Sequence, residues 1–333
     1  MKKIISIILL VALLSGCTAK NTAGTSQTAF MLDTVTEITI YETAQKTSDD
    51  EKNSLINQCF SLCQGYEKLL SRTIEGSDIW NINHSNGQPV KVSSDTADLI
   101  NIALKYSRLS NGKFDITIAP ASGLWDFKSD SPAPPSQEAV SEAISHVGYE
   151  NINIQNDTVT LTDPKAALDL GGIAKGFIGD KAKEFLLEKG VTRALINLGG
   201  NILVIDDNKN APFSIGIQKP FSKGGELAGV LKTSEDSIVT SGTYERSFTY
   251  NGKLYHHILD TSTGWPVDNG LSAVTIVAPS SAEADALSTT VFCLGEQEGR
   301  KLIESLDGTD AVFISTDGKV TYTDGIKKIG QFK

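Results

Sequence analysis

The sequence has few cysteines and no long hydrophobic run after its N-terminal segment, and these absences exclude several classes of protein. Three of its four cysteines, Cys59, Cys63 and Cys293, form neither a disulfide framework nor a CxxC-type metal motif. No run after residue 14 is long and apolar enough to predict a transmembrane helix in the mature chain. The G-x-G-x-x-G and Walker lysine motifs are also absent, which excludes the commonest nucleotide-binding loops.

Positive charge is also scarce. The formal net charge is −10, and no stripe of lysine and arginine interrupts the acidic balance. An acidic surface of this kind argues against nucleic acid as a partner. A polyanionic ligand would therefore need a local cluster of positive charge, backbone N–H groups or a bound metal ion.

The N-terminus has the pattern of a secretion signal. Lys2 and Lys3 precede an apolar run over residues 4–14, which is too short to span a bilayer as a mature helix. The run ends in Leu14-Ser15-Gly16-Cys17, which resembles the bacterial lipobox, although an ordinary cleaved signal with a chance cysteine is the alternative. We expect a signal peptide over residues 1–16, a flexible tether over 17–28 that follows a lipidated Cys17, and one domain over 29–333.

Periodicity predicts a mixture of helices and strands in that domain. Helical spacing of apolar residues covers 49–70 and 94–110, and a third helix follows the Gly-Gly turn within residues 168–190. A fourth helix begins after Pro279-Ser280-Ser281 and is expected to end at Gly295. Alternating or buried apolar runs predict strands, and these cover residues 30–41, 193–198, 271–278, 311–315 and 319–323.

Residues 245–260 are typical of a β-hairpin. Asn251-Gly252 favours a type I′ turn, because both central residues of that turn require positive φ. A two-residue turn pairs Arg246 with His257. Neighbouring side chains on a strand point to opposite faces, so only one of His256 and His257 can serve a given site.

Two further features could bind a phosphate or a metal. The Gly171-Gly172 turn opens a helix, and Gly199-Gly200 follows a strand, so backbone N–H groups could approach an anion there, although tight turns alone could also explain these glycines. Asp285 and Thr289 are one helical turn apart and offer hard oxygen ligands of the kind that Mg²⁺ prefers.

Five blocks together resemble the ApbE family of FAD:protein FMN transferases. The most specific are LDLGGIAKG, INLGGN, HHILD-x-x-TG-x-P and EADALST, and the matching order extends over about residues 30–300. The resemblance implies an α+β fold with T-fold-like antiparallel sheets and helices packed outside, in a single large ApbE-type domain. Many members are lipoproteins, in agreement with the predicted lipidation of Cys17.

The resemblance also implies a reaction. FAD would bind with Mg²⁺, and a threonine or serine hydroxyl of a partner protein would attack the phosphorus on the FMN side, releasing AMP. The product would be a covalently flavinylated protein, formed at the outer face of the bacterial cytoplasmic membrane or in the periplasm by a lipid-anchored enzyme.

Site residues follow from the same resemblance. Asp285 and Thr289, with Ser288 and a backbone oxygen near Gly172, would be the Mg²⁺ ligands. Lys175 would face the phosphates, while His257, or alternatively His256, would orient or deprotonate the attacking hydroxyl near Arg246. The expected flavin contacts are Met31, Leu124, Trp125, Asp126, Asp169 and Leu259.

Two other functions stay open. Residues 72–74 carry no tyrosine where many members place an aromatic ring over the flavin, so Mg²⁺-dependent hydrolysis of FAD to FMN and AMP is one alternative. A flavin-binding lipoprotein without turnover is the other. Retention of Asp285, Thr289 and His257 argues against simple storage, because storage requires neither a metal nor a base.

Overall fold

A computed structural model describes residues 24–207, 211–222, 225–234 and 236–332 of the protein. The predicted signal peptide, Cys17 and the first residues of the predicted tether lie outside them. Among the residues described, no helix is both long and apolar enough to cross a membrane.

Strands and helices alternate irregularly along the described chain. The strands are β1 (Thr25–Met31), β2 (Thr34–Thr43), β3 (Val90–Lys91), β4 (Ile152–Gln155), β5 (Thr158–Leu161), β6 (Val191–Leu198), β7 (Asn201–Asp206), β8 (Phe213–Gln218), β9 (Leu227–Thr233), β10 (Ser237–Gly242), β11 (Ser247–Tyr250), β12 (Lys253–His256), β13 (Leu271–Ala278), β14 (Asp310–Ser315), β15 (Val320–Tyr322) and β16 (Gly330–Phe332). The helices are α1 (Asp49–Leu70), α2 (Asp78–Asn83), α3 (Ser94–Leu109), α4 (Ala119–Ser122), α5 (Gln137–Ile144), α6 (Ala174–Glu188), α7 (Ser281–Glu304) and α8 (Ile326–Ile329).

One large sheet organises the domain. Its strands are antiparallel and lie in the order β1-β2-β6-β7-β10-β13-β14-β15. Helices α1, α6 and α7 cover one face, where Ile38, Phe177 and Leu287 belong to the main core. The three-stranded sheet β16-β9-β8 covers part of the other face, where Leu231 of β9 packs with Ile238 of β10. This is the predicted α+β arrangement of packed antiparallel sheets with helices outside.

Local signals place the helices well. Helix α1 has the predicted bounds, and Ser48 and Glu51 form a capping box at its start. Gly190, with φ of 78°, follows α6 and allows the chain to turn directly into β6. Gly295 does interrupt α7, with φ of 80° and ψ of 169°, but helical structure resumes and continues to Glu304. The prediction that the helix ends at Gly295 was therefore only partly right.

The N-terminal strand prediction requires correction. The sequence predicts one strand over residues 30–41, whereas Leu32 and Asp33, with φ of 55° and 58°, form a tight turn between β1 and β2. Residues 25–28, predicted as tether, pair in β1 with residues 37–40 of β2. Neither turn residue is the glycine or asparagine that usually marks positive φ, so the sequence carries no clear signal for this hairpin.

Candidate active site

Helices α6 and α7 meet at their N-terminal ends, where each is capped by a carboxylate of the other. The backbone N–H of Gly176, in the first turn of α6, donates to Asp285 Oδ2 at 2.9 Å. In return, Asp180 of α6 accepts from the backbone N–H groups of Ser281 and Ala282 at 2.8 and 2.9 Å. Both carboxylates satisfy N–H groups that have no partner within their own helix, so these reciprocal caps fix the position of Asp285.

The helices approach so closely at this point that only glycine fits. A Cβ atom on Gly176 would lie 2.1 Å from the backbone oxygen of Ser281 and 2.7 Å from Asp285 Cβ. Gly172, in the turn before α6, also faces α7, because a Cβ atom there would lie in ordinary contact with Thr289 Oγ1, at 3.4 Å. The predicted metal-binding residues of the two segments are thus brought together.

A cluster of hydroxyl groups lies at the junction, the place where the N-terminal ends of α6 and α7 meet. Ser241, at the end of β10, lies with its Oγ 2.8 Å from Ser288 Oγ and 3.4 Å from Thr289 Oγ1. Ser288 can also donate to the backbone oxygen of Asp285 at 2.8 Å. The sequence analysis did not identify Ser241 as a site residue, since its contact with α7 joins residues about fifty positions apart in sequence.

Lys175 lies near the carboxylate of Asp285 at the junction. Its Nζ is 4.0 Å from Asp285 Oδ1 and donates to Asn201 Oδ1 at 3.3 Å. Asn201 follows the Gly199-Gly200 turn and is 1% exposed, while its Nδ2 has no hydrogen-bond partner among the described residues. An unpaired buried amide next to a lysine suits an anionic oxygen atom, so Asn201 is a second site residue that the sequence analysis missed.

The hairpin has the predicted register. Tyr250 pairs with Lys253 across Asn251-Gly252, both of which have positive φ, and the N–H of His257 donates to the backbone oxygen of Arg246 at 3.1 Å. The strands are shorter than predicted, because the first begins at Ser247 and the second ends at His256. The two histidines point to opposite faces, as the alternation requires.

His256 belongs to the core. Its Nε2 lies 2.9 Å from the backbone oxygen of Val267, and its Nδ1 accepts from the N–H of Ile258 at 3.3 Å. The ring packs edge-on against Phe292, with the ring centroids 5.9 Å apart. Burial lowers the pKa of His256. With both ring nitrogens bonded to backbone groups, the proposed alternative role of His256 as the base is not supported by this geometry.

His257 has the opposite character. Its Nδ1 is buried and has no hydrogen-bond partner among the described residues. Burial, together with the charges of Arg246, His256 and Lys175, lowers the pKa of His257 to about 3. The imidazole is therefore neutral at pH 7, and one ring nitrogen is free to interact with a ligand that enters the junction.

Glu245 adds a second titratable group beside the hairpin. Burial by surrounding protein atoms raises the pKa of Glu245 to about 7; Lys175 and Arg246 oppose the rise and Asp285 adds to it. The residue is nonetheless exposed to solvent, which weakens these effects. Carboxylates and cations thus alternate around the space between the hairpin and the helices.

The predicted flavin contacts divide between exposed and buried positions. Leu124 is 37% exposed and Asp126 is also exposed, whereas Trp125 is 6% exposed and donates its Nε1–H to the backbone oxygen of Gly264 at 3.2 Å. Leu259 belongs to the same small core as Trp125, and Met31 is buried in the main core. Of the predicted flavin contacts named here, Leu124 and Asp126 are thus accessible to a ligand, whereas Trp125, Leu259 and Met31 are packed inside the protein.

Asp169 connects this segment to the Gly171-Gly172 turn. Its Oδ1 accepts from the N–H of Gly171 at 2.9 Å, and its Oδ2 accepts from Ser122 at 2.9 Å and pairs with Arg72 Nε at 3.3 Å. Ser122 is the last residue of α4, just before Leu124. One carboxylate thus fixes the predicted flavin-contacting loop beside the turn that opens α6.

The donor atoms at the junction suit a hard cation. Among the described residues, no three His, Cys, Asp or Glu side chains converge on one point. One carboxylate, two or three hydroxyls and a nearby backbone carbonyl are nevertheless compatible with Mg²⁺, which commonly binds one or two carboxylates and keeps water or phosphate ligands. The residues present thus fit Mg²⁺ better than a softer metal.

Two family models match the chain. The model of the ApbE family matches residues 32–313, a range that includes every part of the junction and the hairpin. The chain belongs to the ApbE family. The model of a prokaryotic membrane lipoprotein lipid attachment site matches residues 1–18, which makes the protein a lipid-anchored, membrane-associated member of that family.

Individual ApbE relatives agree with this assignment. An FAD:protein FMN transferase of Klebsiella pneumoniae is 35% identical over 271 residues, covering 80% of this chain and 84% of that protein. One of Treponema pallidum is 32% identical over 318 residues, covering 90% and 87%. The crystal structure of the ApbE protein of Thermotoga maritima superposes with a TM-score of 0.83 at 29% identity, covering 92% of this chain and 99% of that one. The resemblance and fold class inferred from the sequence are thereby confirmed.

Proposed function

We propose that this chain transfers FMN from FAD to a threonine or serine hydroxyl of a partner protein and releases AMP. The observation that carries the proposal is the meeting of the oxygen ligands of α7, the first turn of α6 and the unpaired ring nitrogen of His257. Membership of the ApbE family and the names of the curated relatives support the same reaction.

The bond changes follow from the chemistry of a pyrophosphate. The acceptor hydroxyl oxygen forms a bond to the phosphorus on the FMN side, and the bond from that phosphorus to the bridging oxygen breaks. AMP leaves with the bridging oxygen, and the hydroxyl proton passes to a ring nitrogen of His257. Phosphoryl transfer of this kind depends mainly on positioning and neutralisation of charge.

We assign the binding roles by position. Asp285, Ser288, Thr289 and a backbone oxygen at Gly172 would hold Mg²⁺. When bound, Mg²⁺ neutralises charge on the pyrophosphate oxygens. Lys175 donates to the phosphates, and Asp169 accepts a hydrogen bond from the flavin portion.

Substrate binding would also change His257. A group with pKa near 3 is a weak base at neutral pH, because effective general bases have pKa values near the working pH. The negative charges of a bound pyrophosphate oppose Arg246 and Lys175, and thus raise the pKa of His257 toward its ordinary value. His257 therefore becomes an effective base only when FAD is bound, and it stays a weak base while the site is empty.

The lipid attachment site places this chemistry at a membrane surface. We propose the outer face of the bacterial cytoplasmic membrane, or the periplasm, as its location, since a secretion signal precedes Cys17. The acceptor would be a protein accessible from that same side.

Incubation with FAD and Mg²⁺, with and without a candidate acceptor protein, tests the proposal. AMP release together with an FMN-sized mass increase of the acceptor is the expected result. If AMP is released without an acceptor, and an added acceptor stays unmodified, the protein is an FAD hydrolase. If FAD binds and no AMP is released, the protein only stores the flavin.

A pair of variants tests the metal ligands. Asp285→Ala should lose most Mg²⁺-dependent turnover, because it removes the carboxylate of the ligand set. Glu298→Ala provides the control, since Glu298 is an exposed acid on the same helix and takes no part in the junction. Full turnover of Asp285→Ala, or unchanged activity of the unmodified protein in excess chelator, would contradict the metal assignment.

A further inference from the structure

Phe30 and Val35 form an exposed apolar pair at the tip of the β1–β2 hairpin. They lie directly opposite each other in the strand register and are 74% and 61% exposed. These are the two highest exposures among the large hydrophobic side chains that the structure describes. An adjacent cross-strand pair makes one continuous patch, unlike a single exposed leucine, which requires no explanation.

The fold leaves this patch uncovered within the described residues. Val35 points away from the helices, since its neighbour Thr36 is fully buried and Ile38 belongs to the helix-facing core. The small sheet on that opposite face packs against β10, β13 and β14, and it reaches β2 at Tyr41, six residues beyond Val35, where the rings of Tyr41 and Phe213 lie 5.3 Å apart. Among the described residues β1 is an outermost strand of the large sheet, so Phe30 lies at the edge of that sheet.

The hairpin tip is nevertheless firmly held. The N–H of Leu32 donates to Glu67 Oε1 of α1 at 2.8 Å, and Asp33 pairs with Lys128 at 3.0 Å. The patch is thus a fixed projection, and its exposure is not the result of a loosely attached loop.

The lipid anchor identifies the surface that such a patch would meet. Only eight peptide steps separate Cys17 from Thr25, the first residue of β1, and this length of chain spans at most about 29 Å. Phe30 lies a further five residues along the same strand, about 17 Å away. Every other highly exposed large hydrophobic residue of the described chain lies at residue 74 or later.

Of the residues named around the patch, Lys128 is the only cation, and Asp33 pairs with it. Thr28 and Ser26 precede Phe30 on the same face, and Glu37 accepts a hydrogen bond from Ser26 at 2.9 Å. Asp33 already has Lys128 as its partner, and the whole chain carries a formal charge of −10. Contact with lipid would therefore depend on apolar burial rather than on electrostatic attraction.

We propose that Phe30 and Val35 insert into the lipid surface to which Cys17 attaches the chain, and so fix the orientation of the domain on the membrane. This inference depends on the lipid anchor and is independent of the proposed flavin transfer. The lipid on Cys17 holds the protein at the bilayer, and the apolar pair then turns this corner of the large sheet toward it.

An environment-sensitive fluorophore on Thr28→Cys tests the proposal in the lipidated full-length chain. Thr28 is exposed on the same face as the pair, so the label reports the patch while Phe30 and Val35 stay intact. Labelling is selective, because Cys17 is acylated and the other three cysteines are buried: Cys59, Cys63 and Cys293. Leu187→Cys, at a 44% exposed position of α6, carries the control label.

In phosphatidylcholine vesicles, emission of the label at residue 28 should shift to shorter wavelength and be quenched by a quencher on the lipid tails. The control label at residue 187 should show neither effect, and high salt should not reverse the shift. Adding Phe30→Ser and Val35→Ser to the Thr28→Cys chain should abolish it, while flavin transfer in detergent stays unchanged.

Three results would overturn the proposal. One is a label at residue 28 that remains as water-exposed in vesicles as the control label. A second is a shift that occurs only when the acceptor protein is added, because the patch would then be a protein-docking surface. A shift that survives in the double serine variant would likewise exclude Phe30 and Val35 as its cause.

Discussion

Replacing Gly176 by alanine should damage both stability and catalysis, and the structure gives the scale of each effect. The added Cβ would lie 2.1 Å from the backbone oxygen of Ser281, so α6 and α7 must separate by more than about 1 Å to reach ordinary contact. Overpacking of this kind costs about 1–3 kcal/mol, which outweighs the gain of about 0.5–1 kcal/mol for alanine over glycine in a helix. We expect a net loss of about 1–2 kcal/mol in the free energy of unfolding.

Catalysis should suffer more than stability. Separation of the helices lengthens the hydrogen bond from the Gly176 N–H to Asp285 and moves Asp285 and Thr289 away from the Gly172 turn. A misplacement of about 1 Å in a catalytic site can reduce the rate about 10²-fold. Single-turnover transfer of FMN to an acceptor protein measures this loss, and urea denaturation measures the change in stability.

Two other helical glycines provide matched controls. Gly65→Ala in α1 meets no atom within 4 Å and should stabilise the protein by about 0.5–1 kcal/mol. Gly179→Ala in α6 would place Cβ 2.7 Å from a methyl group of Leu203, which can rotate away, so its effect should be intermediate. If Gly176→Ala matched Gly65→Ala in both stability and turnover, the inferred close contact of the helices would be wrong.

Other expected outcomes concern the histidines and the anchor. His257→Ala should lose about 10²–10⁴-fold in single-turnover rate while retaining FAD affinity, and unchanged turnover would exclude it as the base. Because the pKa of His257 is about 3 when folded and 6.5 in its ordinary state, stability should fall as pH drops from 6.5 toward 3, and urea midpoints should show a smaller fall for His257→Gln. Cys17→Ser should release an active protein from membranes, as fractionation would show. A variant that stays membrane-bound and carries the normal acyl mass at another residue would contradict lipidation of Cys17.

Local chemistry made much of the fold predictable. The capping residues of α1, the glycine after α6 and the Asn251-Gly252 turn act over a few residues, so the sequence alone could place those elements. The strands β7 and β10 of the large sheet and the short strands β3, β4, β5, β8, β9 and β16 were not predicted, because strand pairing depends on partners distant in sequence. The turn at Leu32 and Asp33 was missed for a related reason, since leucine rarely adopts positive φ and Leu32 is held there by its hydrogen bond to Glu67, which is distant in sequence.

The site was predictable only as far as the family resemblance reached. Asp285, Thr289 and the Gly171-Gly172 turn were proposed from motifs, and the structure places them together. The roles of Asn201 and Ser241 depend on contacts with Lys175 and Ser288 that join separate elements, and no local pattern encodes them. The hairpin register, by contrast, follows from one dipeptide, and it was enough to show that the two histidines face opposite ways.

The reciprocal caps also determine when the site can form during synthesis. The N-terminal part of the chain is made first and crosses the membrane first, so α6 emerges about a hundred residues before the segment of α7 that caps it. Until Asp285 arrives, the first turn of α6 has an unpaired N–H, and Asp180 has no helix start to bind. We therefore expect affinity for the pyrophosphate to appear only after α7 has been added, and a chain that ends before α7 should bind no FAD.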